Sequence, residues 1–469
     1  MKKDNSNKNK KIGLFGFFAF TAASMMSMVL FPTFASSGFN LIFFLVMAAF
    51  FWFIPIAIAS AEMGSIKVWK NGGVFEWVKN TLGEKWGFAA VFYQWFQTTI
   101  IYTIFFYFLT SGIDYLFDTT FLDNIWFQFL IIIIAFVLVT FINLFGIKVT
   151  TTITKFSLPL GVILPTILLI ILSFSFAFGR GKVDLPPDLD LNVFPVGGIF
   201  QFVIFSSFLL SMTAIEVSAN AINILKNSKK NYPIVVGILV ILLITLITLA
   251  GLSIALVMPI GEIGLSDAIF LTFDKIIRGL FGAQHIWISK LITVLILFGT
   301  IGQVSAIIVE PSIGVSKALE TLNAPKWINK TNKYDVKYNI LIIQIILMII
   351  WLSIITFTTI GNLPMTICIA ITSSTYLLTY VLMLISHIKL SIKNTDLERS
   401  FGIKNKWIKI TISSIGLILT IFTLAIMFFK PFEGISDKEY LIYFLILSLS
   451  ISIISISPFI IYKILKIKS

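Results

Sequence analysis

A glutamate stands in an otherwise apolar stretch of the chain. Residues 207–224 read SFLLSMTAIEVSANAINI, and Glu216 lies there among the hydroxyl residues Ser211, Thr213 and Ser218. A carboxylate in hydrocarbon is costly unless it is paired, neutralised or hydrated. Such a group can brace freed backbone N–H groups, carry a proton or contact an amine. The sequence leaves these three roles open, and each of them places a working region around Glu216.

Two apolar stretches share the same kind of interruption. Residues 20–28 read FTAASMMSM and residues 205–214 read FSSFLLSMTA, with small and hydroxyl residues where Leu or Ile would be expected. Such residues suit close packing between helices, or they mark a helix that unwinds and frees backbone groups toward a cavity or ligand. The matching pair favours unwinding. The candidate ligand contacts are Ala22, Ala23, Ser24, Met25, Ser27, Ser211, Met212, Thr213 and Ala214.

Unwound segments would offer two kinds of partner to a ligand. Freed N–H groups at a half-helix N-terminus attract a carboxylate, whereas freed carbonyl groups attract an ammonium. An amino acid carries both charges and would satisfy both. Tyr102 is a further candidate contact, although packing is the commoner role of an aromatic residue on a membrane helix.

The elements that position these residues are membrane helices. The chain has 469 residues, of which 58% are hydrophobic and 12% charged, and apolar runs of about 20 residues recur along it. This pattern predicts an all-α membrane protein embedded in the lipid bilayer. The twelve predicted spans are 12–36, 39–62, 87–117, 125–146, 153–178, 197–222, 233–258, 286–314, 338–360, 363–388, 407–429 and 440–463.

Basic residues orient these spans. With residues 1–11 and 464–469 as cytoplasmic tails, most Lys and Arg fall on the inner side, as the positive-inside rule requires. Because the net charge of +13 is dispersed over these loops, it does not indicate a nucleic-acid partner. The outer side receives only Arg180, Lys182, Lys275, Arg278, Lys290, Lys430 and Lys438.

The span order predicts an internal repeat. If spans 1–5 (12–178) repeat as spans 6–10 (197–388), the odd number inverts the second copy. Two additional helices then occupy residues 407–463. Between spans 2 and 3, residues 72–87 read as a short amphipathic helix, which either lies at the membrane surface or packs as an ordinary loop helix. Glu62 and His387 stand at span ends, where an interfacial position without function is expected.

Four stretches resemble one known family. Residues 31–64, with their Ile-Pro and Ala-Glu pairs, the GGVFEWVKNTLGEKWGF of 72–88, and the segments 211–233 and 309–320 occur in order on a twelve-span chain. They resemble the amino acid–polyamine–organocation superfamily, and within it the glutamate:γ-aminobutyrate antiporter family. The resemblance implies a leucine-transporter-like fold of two inverted five-helix repeats plus two extra helices. It also implies alternating access at a midplane site, and it favours a gating or bracing role for Glu216.

Two departures qualify what the resemblance implies. The family's Ser-Tyr-x-Gly-x-Glu pattern reads SMTAIE at 211–216, so Met212 and Ala214 replace Tyr and Gly and specificity for glutamate is not implied. The span-5 lysine of proton-coupled members corresponds here to Gly161 or Val162. The missing ammonium favours exchange over proton symport.

We therefore expect an amino-acid/amine antiporter in a bacterial plasma membrane, with an amino-acid–proton symporter as the alternative. A channel or nutrient-sensing receptor on the same fold would differ in showing no solute turnover. The loops contain no His/Cys/Asp cluster, phosphate loop or nucleophile elbow, which argues against an enzyme. No cofactor, metal or partner protein is implied.

Overall fold

A computed structural model describes most of the chain. The described residues are 13–468 except 16, 19–24, 70–72, 120–123, 180–184, 217–224, 359–360 and 394–396. Within them the structure is helical, and an isolated strand-like bridge joins Ile66 and Arg399. The first residues of the chain and parts of the first and sixth predicted spans lie outside this description.

The helices follow the apolar runs of the sequence. They are α1 (Phe31–Ala35), α2 (Asn40–Gly64), α3 (Gly73–Leu82), α4 (Glu84–Phe117), α5 (Ile125–Asn143), α6 (Lys148–Phe178), α7 (Phe205–Ser211), α8 (Ser228–Ala255), α9 (Ala268–Phe281), α10 (Ile286–Thr321), α11 (Tyr338–Thr358), α12 (Leu363–Lys393), α13 (Lys406–Ile426) and α14 (Asp437–Lys468). Asparagine side chains cap the start of two of them. Asn124 accepts from the Trp126 amide of α5, and Asn405 accepts from the Trp407 amide of α13, which satisfies N–H groups that lack a helical partner.

Ten helices of the described residues are long and apolar enough to cross a membrane. They coincide with ten of the twelve predicted spans and make this a multi-pass membrane protein. The exceptions are the first and sixth spans, 12–36 and 197–222. Both include residues outside the description, and the short helices α1 and α7 represent them here.

Helices α4 and α12 form the centre of the bundle. They pack against each other, and α12 also contacts α7, α13 and α14, while α4 contacts α10 and α11. Helix α12 is the most enclosed of the long helices, whereas α5 and α14 present mainly apolar side chains outward. The short helix α3 buries Val74, Trp77 and Val78 against α4 and α12. Of the two sequence interpretations, the packed loop helix is the one observed.

The connection between α12 and α13 crosses the end of α2. Residues 397–403, here called the connector, pair with Ser65 at two points. The Ser65 hydroxyl donates to the Phe401 carbonyl at 2.8 Å, and the Ser400 amide donates to the Ser65 carbonyl at 3.2 Å. The connector therefore joins the end of α2 to the last two helices of the described chain.

Glu62 anchors the same junction. Its side chain is fully buried, and its carboxylate contacts the Arg399 guanidinium of the connector and Lys409 Nζ of α13 at 2.5 Å. His387 Nε2 of α12 lies 3.5 Å away. The exposure expected of interfacial side chains is wrong for Glu62 and His387, since both are fully buried. The connector folds over Glu62, and cations of the connector and α13 pair with its carboxylate.

Replacing Glu62 by Gln should therefore destabilise the protein strongly. The amide would remove the carboxylate charge that the buried Lys409 ammonium and the partly buried Arg399 guanidinium share, a loss of about 3–5 kcal/mol. A lower thermal unfolding midpoint in detergent would report it. Glu398→Gln is the matched control. Glu398 also belongs to the connector and pairs with Lys67, but both of these side chains are more than half exposed. That variant should lose less than about 1 kcal/mol, and equal shifts for the two variants would contradict the buried-cluster assignment.

Candidate functional site

The first predicted span is interrupted within its described part. Met25 is helical, Met26 and Ser27 are not, and a helix resumes only at α1. The amide of Val29 reaches the Ser27 hydroxyl at 3.4 Å. Ala22, Ala23 and Ser24, three of the predicted contacts, lie outside the described residues. Among the described residues of this span, the first non-helical one after Met25 is Met26, toward the end of the stretch predicted to unwind.

The sixth predicted span is interrupted directly after α7. The helix ends at Ser211, and Ala214 adopts φ +76° before Ile215 and Glu216 return to helical geometry. A left-handed conformation costs a residue with a Cβ atom roughly 1–2 kcal/mol relative to glycine. Alanine nevertheless stands where the antiporter pattern has glycine, so the surrounding structure must hold this turn.

Local hydroxyl groups satisfy part of the freed backbone. The Ser211 hydroxyl donates to the Phe208 carbonyl at 2.7 Å, and the Thr213 hydroxyl donates to the Leu210 carbonyl at 2.8 Å. Side-chain hydroxyls commonly replace backbone donors at such positions. The hydroxyl residues that marked this stretch in the sequence therefore satisfy carbonyl groups at the C-terminal end of α7. Their oxygen lone pairs remain available as hydrogen-bond acceptors.

Three neutral donors converge on Glu216. Its side chain is buried. Oε1 accepts from the Tyr376 hydroxyl at 2.6 Å and from Gln94 Nε2 at 2.9 Å, while Oε2 accepts from the Tyr380 hydroxyl at 2.8 Å. The tyrosines come from α12 and the glutamine from α4. The carboxyl group thus ties the interrupted span to both central helices.

Tyr380 connects this carboxyl group to the turn. Its hydroxyl accepts from the Ala214 amide at 3.1 Å while it donates to Glu216. The ring of Trp52 packs edge-on against it, with centroids 5.0 Å apart. Among the three roles considered for Glu216, the described contacts are those of a brace. The connection to the freed N–H of Ala214 runs through Tyr380.

A helix amide also reaches the first interruption. Gln303 Nε2 of α10 donates to the Met26 carbonyl at 2.5 Å, and the Ser27 hydroxyl lies 3.5 Å from Gln303 Oε1. A carbonyl that has left its helix inside hydrocarbon requires such a partner. Both interruptions are therefore held by side chains from other helices.

A narrow cleft of about 20 Å³, enough for one water molecule, lies where the two interruptions approach each other. Met25 and Ser27 line it from the first span, Ser211 from the end of α7, and Thr166 from α6. The remaining lining is apolar, and polar groups are concentrated at the two helix ends. The lining residues are Met25, Met26, Ser27, Leu30, Phe31, Phe34, Val162, Thr166, Ser211, Leu243, Leu246 and Ile247.

Three other predicted substrate contacts, Met212, Thr213 and Tyr102, are not among the residues that line the cleft. Met212 and Thr213 are buried beside the cleft-lining Ser211. Tyr102 is fully buried, with its hydroxyl donating to the Ile307 carbonyl at 3.3 Å and accepting from Gln344 Nε2 at 3.1 Å. It is not among the residues that line the cleft, and its role as a substrate contact stays a prediction.

Four residues of this region were not singled out from the sequence. They are Gln94, Gln303, Tyr376 and Tyr380. The two tyrosines are four residues apart and therefore share one face of α12, with their rings stacked at 5.0 Å. An amide inside an apolar span must find hydrogen-bond partners. The positions of Gln94 and Gln303 in the sequence could therefore have indicated polar contacts between helices. Among the described residues, no group of three or more His, Cys, Asp or Glu could hold a metal ion.

A bundle of apolar helices with two interrupted spans around one cleft is the architecture of a secondary transporter. The chain belongs to the amino acid permease family, whose family model matches residues 12–451. The resemblance noted in the sequence is thereby confirmed, and the protein is a transporter rather than an enzyme.

Curated relatives cover nearly the whole chain. A glutamate/gamma-aminobutyrate antiporter of Lactococcus lactis subsp. lactis is 36% identical over 97% of this chain and 90% of its own length. The antiporter of the same name from Lactococcus lactis subsp. cremoris is 37% identical over the same shares. An uncharacterized transporter of Legionella pneumophila is 26% identical over 91% of each chain.

Tyr380→Phe should impair the protein more than Tyr376→Phe. The first change leaves the Ala214 amide and one Glu216 oxygen without their partner, at about 1–3 kcal/mol for each buried group. The second change removes one donor from an oxygen that Gln94 still reaches. Substrate exchange in proteoliposomes at matched protein content, together with the unfolding midpoint, would measure the difference. Equal losses in the two variants would contradict the link through Tyr380.

Proposed function

We propose that this chain is an antiporter that exchanges an amino acid for a related amine by alternating access. The observation that carries the proposal is the meeting of two helix interruptions at one cleft, with Ser27 and Ser211 in its lining. The names of the Lactococcus relatives give their exchanged pair as glutamate and γ-aminobutyrate. These two compounds differ by one carboxylate and share a short methylene chain.

The cleft's chemistry supports this class of substrate. The cleft of about 20 Å³ has to widen during alternating access to admit an amino acid. Freed backbone groups and hydroxyls would then bind the charged ends, and the apolar wall that includes Val162, Leu243 and Ile247 would contact the methylene groups. Met212 stands where the antiporter pattern has tyrosine. We therefore propose the class of substrate, an amino acid and a related amine, rather than glutamate itself.

The proposed contacts remain those expected from the sequence. Along the first span they are Ala22, Ala23, Ser24, Met25 and Ser27. Residues 211–214 supply the contacts of the sixth span, Tyr102 is an additional contact, and Glu216 serves as brace and gate. We place these groups at the middle of a twelve-span fold with two inverted repeats, 12–178 and 197–388, followed by two further helices in 407–463.

The packing of α6 against α10 supports exchange rather than proton symport. A Cβ atom added at Gly161 would stand 2.3 Å from the Gly299 backbone nitrogen, and one added at Gly299 would stand 2.4 Å from the Gly161 carbonyl oxygen. The two backbones are in direct contact. The ammonium of proton-coupled members corresponds to position 161 or 162, and at the first of these a lysine side chain would not fit.

Exchange should require substrate on both sides of the membrane and no pH gradient. We expect labelled glutamate to enter proteoliposomes that contain unlabelled glutamate or γ-aminobutyrate, with at most residual entry into empty ones. A panel of amino acids and amines inside the vesicles would identify the exchanged pair. Protein-free vesicles control for leakage. Strong uptake into empty proteoliposomes under outside acid would favour the amino-acid–proton symporter instead.

The proposed orientation places both termini in the cytoplasm of a bacterial cell. Cysteine at Asp437 should then react with an impermeant thiol reagent added to intact cells, whereas cysteine at Lys229 should react only after permeabilisation. Both positions are exposed, and the native Cys368 is buried, which keeps background labelling low. Labelling at Lys229 in intact cells would overturn the proposed orientation.

A further inference from the structure

Gln303 stands at the middle of a long membrane helix. It lies near the centre of the 283–321 span, and its amide nitrogen donates to the carbonyl of Met26, a non-helical residue of the interruption in the first span. Its amide oxygen faces the Ser27 hydroxyl. One side chain therefore contacts both residues at which this helix stops.

A freed carbonyl in hydrocarbon can be satisfied by a bound cation, a protonated amine, water or a neutral N–H donor. A cation leaves when its concentration falls, and an amine loses its proton when the pH rises. A carboxamide has no such dependence, because it does not titrate in the physiological range. The choice of donor at Met26 therefore decides whether the interrupted segment depends on an ion.

Helix α10, which carries Gln303, packs closely against α6 near this residue. Gly302 lies so close to Ser157 that an added Cβ atom would stand 1.7 Å from its hydroxyl oxygen. The Thr154 hydroxyl lies 3.5 Å from the Gly302 carbonyl, and Gly299 touches Gly161 one turn earlier. Close packing of this kind holds the backbone of residues 299–302 in place, so the Gln303 side chain extends toward Met26 from a rigid base.

The described contacts of Gln303 are with uncharged groups. Of the titratable groups on the helices packed against α10, Lys148 and Lys155 of α6 are exposed, and Tyr102 of α4 bonds to Ile307 and Gln344. Asp274 and Arg278 of α9 pair with each other. Tyr107 of α4 bonds to Thr356 of α11, and Tyr115 of α4 bonds to Asp274 and Ser289.

We propose that Gln303 is a positioning residue for transport. Its neutral amide holds the interrupted segment of the first span in its binding geometry, so that the site forms without a bound cation or proton at this point. This inference rests on the proposed exchange function and explains physically why exchange would be insensitive to pH.

The decisive variant is Gln303→Glu, which keeps the shape and adds a titratable group. A protonated carboxyl group can donate to the Met26 carbonyl, whereas an ionised one repels it. Because the folded form must then retain a proton that a free carboxyl releases, stability and exchange should both fall as the pH rises. Between roughly pH 5 and pH 8, the range in which a buried carboxyl group can ionise, we expect a flat wild-type exchange rate and about a tenfold or larger decline for the variant.

The matched control is Gln344→Glu on α11. Gln344 is also a buried amide in an apolar helix, but its partners are the hydroxyls of Ser312, Thr98 and Tyr102. Hydroxyl groups can reverse their direction and donate to a carboxylate. Its pH profile should therefore be flatter than that of Gln303→Glu. Gln303→Leu, which has no donor at any pH, should show a low and pH-independent rate.

Thermal unfolding in detergent separates this inference from the transport proposal. The unfolding midpoint of Gln303→Glu should fall with rising pH relative to wild type, whether or not an exchanged substrate is found. A pH-dependent midpoint without any exchange would support the role of Gln303 and reject only the proposed exchange function. Wild-type-like pH profiles of both midpoint and exchange rate in Gln303→Glu would overturn the inference. So would a Gln303→Leu variant that exchanges substrate at the wild-type rate.

Discussion

A backbone group that leaves its helix inside hydrocarbon must find another partner, and this requirement organises the centre of the protein. The turn after α7 releases the Ala214 amide, which Tyr380 of α12 accepts. The interruption of the first span releases the Met26 carbonyl, which Gln303 of α10 satisfies. Helices α10 and α12 have to lie beside the interrupted spans for these bonds to form, so the arrangement of the bundle and the existence of the cleft depend on each other.

Glu62 and Glu216, both buried, illustrate two ways to hold a carboxyl group away from water. Glu62 is paired with cations from the connector and α13, and it joins segments that are far apart in the sequence. Glu216 has neutral donors from α4 and α12 instead. Breaking a buried ion pair strands a charge, whereas hydroxyls and amides can exchange donor and acceptor roles. The ionic arrangement suits a fixed junction, and the neutral one suits a place where a helix has to be interrupted.

Much of the architecture could be predicted from the sequence because apolar length alone marks a membrane helix. Ten of the predicted spans have a corresponding helix, and the small and hydroxyl residues after Phe208 correctly indicated an interruption. The partners of that interruption could not be predicted in the same way. Ala214 and Tyr380 are separated by 166 positions, and no local pattern states which face of a distant helix will meet a turn. Glu62 was misplaced for the same reason, since its burial depends on the connector.

Ala214 has an energetic consequence that glycine would not have. Its left-handed conformation is disfavoured by roughly 1–2 kcal/mol, and the bonds around Tyr380 hold it against that cost. Any alternative arrangement of the segment in which residue 214 returns to negative φ recovers this energy. Relative to a glycine at the same position, alanine therefore shifts the balance between two such arrangements by a factor of about 5 to 30. The methyl group of Ala214 thus destabilises the observed conformation of the turn and lowers the free-energy difference to the alternative conformation with negative φ.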